Sequence, residues 1–344
     1  MERNGVVMTG TLATLADVAA RAGVSTATVS RCLNTPERVK AGTREKVLEA
    51  VHTLGYAPNF NARALVARQT RIIGAIIPTM DNAIFAAGLQ TFQEVLAEAG
   101  YTLLVASSSY KKELEEAQIH NLISRGADAL LLIGVDRSAR IYDFLKHRKI
   151  PYVLAWNYKE DKQHSFVGFD NAQAAERIAI EVMRARHRKV AIISGITAEN
   201  DRARARLYGF KARLRLGSEG PLDPDLLVEC PYDIKKAGEA FDRLLASGKT
   251  FTALLCGNDV LAVGAMLRAK ALGFELPGQL SVTGFDDLEL SRIISPALTT
   301  IHVPHRKMGS MAAKNLLAQL EGKPVRNCRL QPYLIKRESL RPLL

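Results

Sequence analysis

Residues 14–31 of the chain read TLADVAARAGVSTATVSR, and this stretch decides how the N-terminal part folds. Apolar residues recur at the spacing of one helix face over residues 15–22, and Thr14 is placed to cap that helix. Gly23 follows directly, and glycine tolerates the left-handed conformation in which many helices end. Ser25 can then cap a second helix. Two short helices joined by a glycine-containing turn predict a helix-turn-helix.

A third helix is predicted over residues 43–54 by the same apolar spacing. Its inward face is expected to carry Val47, Leu48, Val51 and Leu54. These side chains would complete a three-helix core together with the two helices before them.

The outward face of the second helix combines small hydroxyl side chains with one arginine. Such a helix can enter the major groove of DNA, where bulk would clash and base edges offer hydrogen bonds. Ordinary solvent-exposed helix residues are the alternative interpretation. The outward residues are Thr26, Ala27, Thr28, Ser30 and Arg31.

The charge balance also favours a polyanionic partner. The 344 residues carry a net charge of +12, and the first 71 positions hold ten of the 47 basic but only five of the 35 acidic residues. Positive charge is therefore densest beside the predicted helix-turn-helix, as expected for nucleic-acid contact.

Composition and cysteine usage indicate a globular protein of a reducing compartment. Hydrophobic residues make up 47% and charged residues 24%, and the length predicts two or more domains. The four cysteines form no C-x-x-C pair and have no histidine at ligand spacing, which predicts free thiols and no metal site. The N-terminus lacks a secretory signal and no apolar run could span a bilayer, so a cytoplasmic protein without membrane contact is expected.

From residue 71 onward, short apolar runs alternate with helical segments. Repeated strand–helix units predict parallel sheets with helices on both faces, and about 270 residues suit two such lobes better than one. The predicted strands are IIGAIIP, TLLVAS, ALLLIG, PYVLAW, VAIISG, FTALLC and LSVTGF, with a weak one near residues 226–229.

Sequence motifs in the N-terminal part and in the part from residue 71 onward resemble those of the LacI/GalR family of bacterial regulators. The N-terminal matches are D-V-A-x-x-A-G-V-S-x-x-T-V-S-R, L-N, T-R-E-K-V and L-G-Y-x-P-N. The core matches are VGFDN, R-x-R-x-x-G-F, GNDVLAVG, VTGFDD and P-x-L-T-T-I. The resemblance runs from Thr14 to the C-terminus. It implies an α/β protein: a three-helix helix-turn-helix head and a two-lobed core like periplasmic binding proteins, with doubly wound parallel sheets.

The resemblance also implies domain boundaries. The DNA-binding domain would span residues 12–58, a hinge helix or linker 59–70, and the effector-binding and dimerisation core 71–344. Within the core, the N-lobe would comprise about 71–168 and 303–327, and the C-lobe about 169–300 and 328–344. The chain would cross between lobes near residues 168, 300 and 328.

The hinge segment is helix-capable but short, and an isolated helix of that length is marginal in water. In the family it pairs with its dimer mate in the minor groove, where a leucine wedges between central base pairs, and Leu65 stands at that position. Unstacking a base step costs a few kcal/mol, which the contacts of bent DNA offset. A plain linker leucine, or one packed on the core, is the alternative.

The implied partner is a pseudo-palindromic, double-stranded operator bound by a homodimer. Thr26, Ala27 and Arg31 would read bases. The residues expected to touch or approach the phosphates are Thr14, Ser25, Thr28, Ser30, Asn34 and Thr43, and Asn59, Ala62 and Leu65 would contact DNA from the hinge.

A small-molecule effector is expected between the lobes, at the carboxyl ends of the strands. A guanidinium and carboxylates suit a polyhydroxylated ligand such as a sugar or a sugar acid. Trp156, Phe169 and Tyr232 are further candidates, Trp156 equally as a core residue. His302 and His305 are expected at the pocket rim or facing the dimer. The resemblance implies Asp136, Asp170, Arg206, Asn258 and Asp286 as effector-binding residues, and Phe85 is added for the apolar face it offers; an N-cap is the alternative role of Asn258 and a surface charge that of Arg206.

Two other classes of protein fit less well. No phosphate-binding loop, nucleophile elbow, zinc-protease helix or dinucleotide fingerprint occurs, so neither an enzyme nor a cofactor is predicted. A transport-type binding protein would carry an export signal and no DNA-binding head, whereas this chain has the reverse.

Overall fold

The chain divides into two compact units, one up to Thr70 and one from Arg71 onward. The computed structural model describes residues 13–57, 69–81, 83–161, 163–217 and 222–343. The predictions for Asn59, Ala62 and Leu65 lie outside the described residues.

The first unit, the head, is a three-helix bundle. Thr14 and Asp17 form the predicted capping box: Thr14 Oγ1 accepts the Asp17 N–H at 3.3 Å, and Asp17 Oδ2 accepts the Thr14 N–H at 2.8 Å. Gly23 ends the first helix in the left-handed conformation, with φ of 65°. The helices are α1 (Leu15–Ala22), α2 (Thr26–Asn34) and α3 (Ala41–Leu54), with a short 3-10 turn at Pro36–Arg38.

The inward face of α3 differs from the prediction at one position. Val47 and Ala50 are buried, and Val51 and Leu54 pack against the same core, whereas 48% of Leu48 is exposed. Each step along a helix turns the side chain by about 100°, so a residue one position after Val47 points away from the face that repeats every three and four residues. The prediction for Leu48 was wrong, and Ala50 takes its place.

The N-lobe of the second unit, the core, contains a six-stranded parallel sheet in the order β11-β5-β4-β3-β1-β2. Its middle strands are apolar throughout because helices cover both faces. The strands are β1 (Ile72–Ile77), β2 (Thr102–Ser107), β3 (Ala129–Ile133), β4 (Tyr152–Ala155), β5 (Phe166–Gly168) and β11 (Cys328–Arg329), and the helices are α4 (Ala83–Glu98), α5 (Lys112–Ser124), α6 (Ala139–His147) and α12 (His305–Leu320).

The C-lobe contains a four-stranded parallel sheet in the order β7-β6-β8-β9. It repeats the strand–helix alternation of the N-lobe. The strands are β6 (Val190–Gly195), β7 (Leu227–Cys230), β8 (Ala253–Cys256) and β9 (Ser281–Thr283), and the helices are α7 (Asn171–Arg184), α8 (Asp201–Gly217), α9 (Ile234–Ala246), α10 (Asp259–Ala271) and α11 (Leu290–Ile293), with a 3-10 turn at Pro224–Leu226.

A separate antiparallel pair, β10 (Thr300–His302) with β12 (Tyr333–Ile335), lies where the chain passes between the lobes. Cys328 pairs with Val167 and Arg329 with Gly168, so β11 belongs to the N-lobe sheet. The third crossing therefore follows Arg329, and the boundary predicted at 327/328 was slightly early. The sequence analysis predicted neither these short strands nor α12.

Helices α4 and α12 pack closely on the N-lobe and position an aromatic side chain. A Cβ on Gly88 would come within 2.6 Å of the Trp156 ring, and one on Gly309 within 1.9 Å of the Gly88 carbonyl oxygen. Only glycines allow this approach. The indole of Trp156 is consequently held against the two helices at the carboxyl end of β4.

Candidate functional site

Local hydrogen bonds hold side chains in place near the start and the end of α2. Ser25 Oγ accepts the Thr28 N–H at 3.2 Å, and Asn34 donates to Ser30 Oγ at 3.2 Å. Thr26, Ala27 and Arg31 are exposed, whereas Thr28 and Ser30 are partly buried. The three residues predicted to read bases therefore lie on the solvent face of one helix.

The residues predicted to approach phosphates flank this face. Thr14 and Ser25 cap the first two helices, so their hydroxyls lie at helix N-termini, where anions are favoured. Thr43 lies in the first turn of α3 and is partly buried.

In the core, side chains from both lobes meet at the carboxyl ends of the parallel strands; we call this region the cleft. Ligands bind at this edge of doubly wound sheets because the loops after each strand converge there. The lining residues of the inner cleft are Ile84, Phe85, Tyr110, Trp156, Phe169, Asn171, Asn200, Arg202, Arg206, Tyr232 and Asp286.

The apolar part of the inner cleft is aromatic. Phe85 and Trp156 meet edge to face with centroids 5.5 Å apart, and Tyr110 lies 6.0 Å from Tyr232. Phe85, Trp156 and Phe169 are at most 4% exposed. Trp156 was considered either as a core residue or as a ligand-contacting residue. Both interpretations apply, because it is buried and also lines the cleft. The free volume among these side chains is only about 20 Å³, roughly room for one water molecule.

The polar part of the inner cleft centres on Arg206 and Asp286. Arg206 Nη1 lies 3.8 Å from Asp286 Oδ1, with 8% and 2% of the two side chains exposed. The guanidinium also donates to Tyr232 Oη at 3.1 Å and lies 4.8 Å from the centroid of the Phe285 ring. Arg206 is thus a buried cation, not the surface charge considered above.

Burial controls the ionisation of this pair. It raises the pKa of Asp286 to about 7, although the Arg206 guanidinium acts to lower it. Burial likewise acts to lower the pKa of Arg206, but Tyr232 and Asp286 hold that pKa above its usual value. Arg206 Nε and Asp286 Oδ2 have no hydrogen-bond partner in the part of the chain that the structure describes. Buried polar atoms without partners cost free energy and mark a place where a ligand can bind.

Three cleft residues have left-handed backbone conformations that non-glycine residues rarely adopt. Tyr110 and Trp156 have φ of 58°, and Asp286 has φ of 108°. Such conformations persist only where the surrounding structure holds them, and they concentrate at binding sites. For Asp286, the backbone is held by its N–H, which donates to Ile301 O at 2.9 Å.

The outer cleft is a network of charges that joins the lobes. Asp201 of the C-lobe accepts the Val135 N–H at 2.7 Å and Asn157 Nδ2 at 2.6 Å, both from the N-lobe. Burial acts to raise the pKa of Asp201, but Arg202 and these donors outweigh it and hold the pKa below its usual value. We call Asp201, Val135 and Asn157 the inter-lobe latch.

Asp136, predicted as an effector ligand, lies beside this latch in the outer cleft. Its carboxylate contacts Arg204 Nη2 at 2.6 Å and Lys112 Nζ at 3.2 Å. It lines a pocket next to the inner cleft that shares Tyr110 and Arg202 with it. The structure therefore does not bring Asp136 to the Arg206–Asp286 pair.

Two other predicted ligands lie outside the inner cleft. Asp170 is partly exposed, caps α7 by accepting the Gln173 N–H at 3.0 Å, and lies 3.6 Å from Arg329. Asn258 is fully buried and caps α10 by accepting the Leu261 N–H at 2.9 Å, while its Nδ2 has no partner among the described residues. Both positions follow strands, but a side chain that caps its own helix turns back toward that helix.

The structure places the two histidines in different surroundings, one partly exposed and one buried. His302 Nδ1 lies 2.8 Å from Asp287 Oδ2, and His305 is buried behind Trp156, 8% exposed. In the described part of the chain, no cluster of three or more acidic, histidine or cysteine side chains could hold a metal ion. Nor is any described helix both long and apolar enough to cross a bilayer.

Five residues of the inner cleft escaped the sequence analysis: Ile84, Tyr110, Asn171, Asn200 and Arg202. Asn171 ends the VGFDN stretch, and Arg202 shares an arginine-rich helical repeat with Arg206, so both had a sequence signal. Tyr110 and Asn200 lie in loops without a pattern and could only be found from the structure.

Two family models match the chain. Residues 14–59 match bacterial regulatory proteins of the lacI family, and residues 70–338 match periplasmic binding proteins and the sugar-binding domain of the LacI family. The second match alone covers more than half of the chain.

Two bacterial regulators are similar to this chain in sequence over most of its length. The chain is 31% identical to the HTH-type transcriptional repressor PurR of Vibrio cholerae over 336 residues, 96% of this chain and 99% of that protein. It is 30% identical to catabolite control protein A of Priestia megaterium, over 88% and 91% of the two chains.

Solved structures place the same fold over nearly the whole chain. A LacI-family regulator from Silicibacter pomeroyi has a TM-score of 0.87 at 26% identity, covering 96% of this chain and 99% of that one. The lac repressor dimer bound to operator has a TM-score of 0.82 at 26% identity, with the same coverage. A CelR–cellobiose complex has a TM-score of 0.69 at 25% identity, covering 95% and 99%. The chain belongs to the LacI family of bacterial regulatory proteins: it is a DNA-binding transcriptional regulator with an effector-binding core, not an enzyme.

Proposed function

We propose that this chain is a cytoplasmic homodimeric repressor whose affinity for a pseudo-palindromic operator is controlled by a polyhydroxylated effector, a sugar or a sugar acid, bound in the inner cleft. Residues 59–70, with Asn59, Ala62 and Leu65, would act as the hinge between the DNA-binding domain at 12–58 and the core at 71–344. The two-fold symmetry of a dimer requires two half-sites in the operator.

The main observation in favour of a sugar or a sugar acid as the effector is the Arg206–Asp286 pair, which lies between aromatic rings. A guanidinium donates in a fixed fork and a carboxylate accepts from paired hydroxyls, while ring faces cover the apolar face of a sugar. Within the described ranges of the chain, each of these side chains keeps one buried polar atom without a hydrogen-bond partner. The similar CelR structure holds cellobiose, a sugar, in the same fold.

The small volume of the inner cleft gives the mechanism. About 20 Å³ cannot hold a sugar, so we expect the lobes to lie farther apart with the effector bound than they do in this structure. Effector binding thus selects one arrangement of the lobes, and it changes operator affinity only as far as it favours that arrangement.

A thermal-shift screen tests the effector class, because a ligand that binds only the folded state raises the unfolding midpoint. The panel comprises monosaccharides, disaccharides, sugar acids and nucleobases at millimolar concentration. We expect a sugar or sugar acid to raise the midpoint of the parent and to lose that effect in Arg206→Ala. A shift with nucleobases alone would contradict the proposed class.

Operator binding tests the head. Arg31→Ala is expected to cost about 1–3 kcal/mol of discrimination if Arg31 pairs with a guanine edge, and affinity should fall steeply with salt. Selection of bound sequences from a random duplex pool, followed by titration of the selected duplex, measures both. Lys211→Ala on the core is the matched loss of one positive charge. Unchanged affinity and unchanged sequence preference in Arg31→Ala would refute the base contact.

A further inference from the structure

Three buried side-chain atoms around the Asp286 carboxyl group, at the edge of the inner cleft, have no hydrogen-bond partner among the described residues. They are Arg206 Nε, Asp286 Oδ2 and His305 Nε2. At most 9% of any of these side chains is exposed. Arg206 and His305 flank one carboxyl group: Arg206 Nη1 lies 3.8 Å and His305 Nε2 4.0 Å from Asp286 Oδ1. Because a buried polar group without a hydrogen bond costs free energy, three around one carboxyl group indicate a ligand that satisfies them.

The protonation of His305 follows from its neighbour. Trp156 Nε1 can only donate, and it lies 3.1 Å from His305 Nδ1, so Nδ1 is the acceptor. Burial lowers the pKa of His305 to about 4, and the ring is therefore neutral at pH 7. A neutral imidazole that accepts at Nδ1 carries its hydrogen on Nε2. His305 thus presents a fixed donor toward the carboxylate of Asp286.

We propose that His305 is a specificity-determining residue that donates its Nε2–H to an effector hydroxyl, next to the hydroxyl bound by Arg206 Nε, with Asp286 accepting from the ligand between them. The three side chains form a donor–acceptor–donor set, which matches two neighbouring hydroxyls of a sugar ring. This inference rests on the proposed function and deepens it.

The two hydroxyl contacts would come from opposite lobes. Arg206 lies on α8 of the C-lobe, whereas His305 is the first residue of α12 and packs with Trp156 and α4 on the N-lobe. Trp156 is a positioning residue in this scheme: its indole sets the tautomer, and its backbone N–H contacts Met308 Sδ at 3.3 Å. A ligand with adjacent hydroxyls can therefore bridge the lobes, and one that lacks either hydroxyl cannot.

Nitrogen-15 spectra of the histidine rings test the tautomer in the full-length protein without ligand. We expect His305 to show a protonated Nε2 and a bare Nδ1 at pH 7, and Trp156→Phe to lose this fixed pattern. A proton on Nδ1 of His305 in the parent would overturn the proposal.

Calorimetry tests the contact, with D-glucose, D-galactose, D-ribose and the single-deoxy analogues of the two hexoses as probes. For a probe sugar that binds the parent, His305→Phe is expected to bind at least tenfold more weakly. One deoxy analogue should lose affinity for the parent but not for His305→Phe. His147→Phe, an exposed histidine on α6, is the matched control and should bind as the parent does.

The outcomes separate the two claims. If the parent binds a probe sugar and His305→Phe binds it equally well, the contact is overturned while the proposed function stands. If every deoxy analogue loses the same factor in both proteins, the contact is again overturned. If the parent binds no sugar or sugar acid of the thermal-shift panel, the proposed effector class fails and the contact fails with it.

Discussion

Asp286 shows how the position of one residue creates a conflict between stability and binding. Its carboxylate is buried beside Arg206, and burial raises its pKa to about 7 from 3.8. Between these values the folded state keeps a proton that the unfolded state has already released. The stability contributed by this residue is therefore complete below about pH 4 and is lost as the pH rises to about 7.

Asp286→Asn should remove this pH dependence. We expect the variant to gain stability over the parent between pH 5 and pH 8, by at most about 4 kcal/mol at 1.36 kcal/mol per pKa unit, and to bind the effector poorly. Urea unfolding midpoints at the two pH values measure the difference. Asp225→Asn, at an exposed carboxylate, should follow the parent, and parallel pH profiles for Asp286→Asn and the parent would contradict the prediction.

At the scale of an element, two glycines in the helices of the head show how backbone conformation affects helix stability. Gly23 ends α1 with φ of 65°, whereas Gly42 lies within α3, and a Cβ at either position would meet no atom within 4 Å. Space is thus equal at the two sites, and only backbone conformation distinguishes them.

We expect opposite effects of the same substitution at these glycines. Gly23→Ala forces a side chain into the left-handed region and should cost about 1–2 kcal/mol, whereas Gly42→Ala should stabilise α3 by about 0.5–1 kcal/mol. Amide hydrogen exchange of peptides within the head measures both, since 1.4 kcal/mol is a tenfold change in protection when exchange follows the opening equilibrium. Equal changes of the same sign would show that the turn does not require a glycine.

At the scale of the whole molecule, the inter-lobe latch is a set of hydrogen bonds that connects the two lobes of the core. Asp201 accepts two hydrogen bonds across the cleft, and hydrogen bonds to a charged group contribute about 1.5–3 kcal/mol each. Asp223 pairs with Lys249 at 3.0 Å within the C-lobe and spans no cleft.

Asp201→Ala should therefore favour open lobes, at a cost to the closed arrangement on the order of 3 kcal/mol. Small-angle X-ray scattering is expected to show a larger radius of gyration for this variant than for the parent, and no change for Asp223→Ala. A radius that is unchanged in Asp201→Ala, or enlarged equally in both variants, would refute the latch.

Much of the fold could be predicted because its signals are local. The capping box of Thr14, the turn at Gly23 and the predicted β2 and β6 segments each depend on residues a few positions apart, and all were confirmed. Short strands such as Cys328–Arg329 escaped because two residues carry no periodicity and only the partner strand defines them.

The cleft was predicted less completely because its contacts join distant parts of the chain. Arg206, Asp286 and Phe85 lie where a ligand could touch them, but Asp170 turns to cap its own helix and Asp136 pairs with Arg204. Helix caps and ion pairs compete for the same polar side chains that bind ligands, and a sequence does not show which partner wins.

By itself, the sequence determined the three-helix head, the alternating strands and helices of the core and the family to which the chain belongs, because capping, turn and burial patterns act within a few residues. Only the tertiary structure decided which side chains face the cleft and which ring nitrogen of His305 accepts the hydrogen bond from Trp156. Trp156 and His305 are 149 residues apart in the chain, and their hydrogen bond exists only because two helices of the N-lobe pack around one indole.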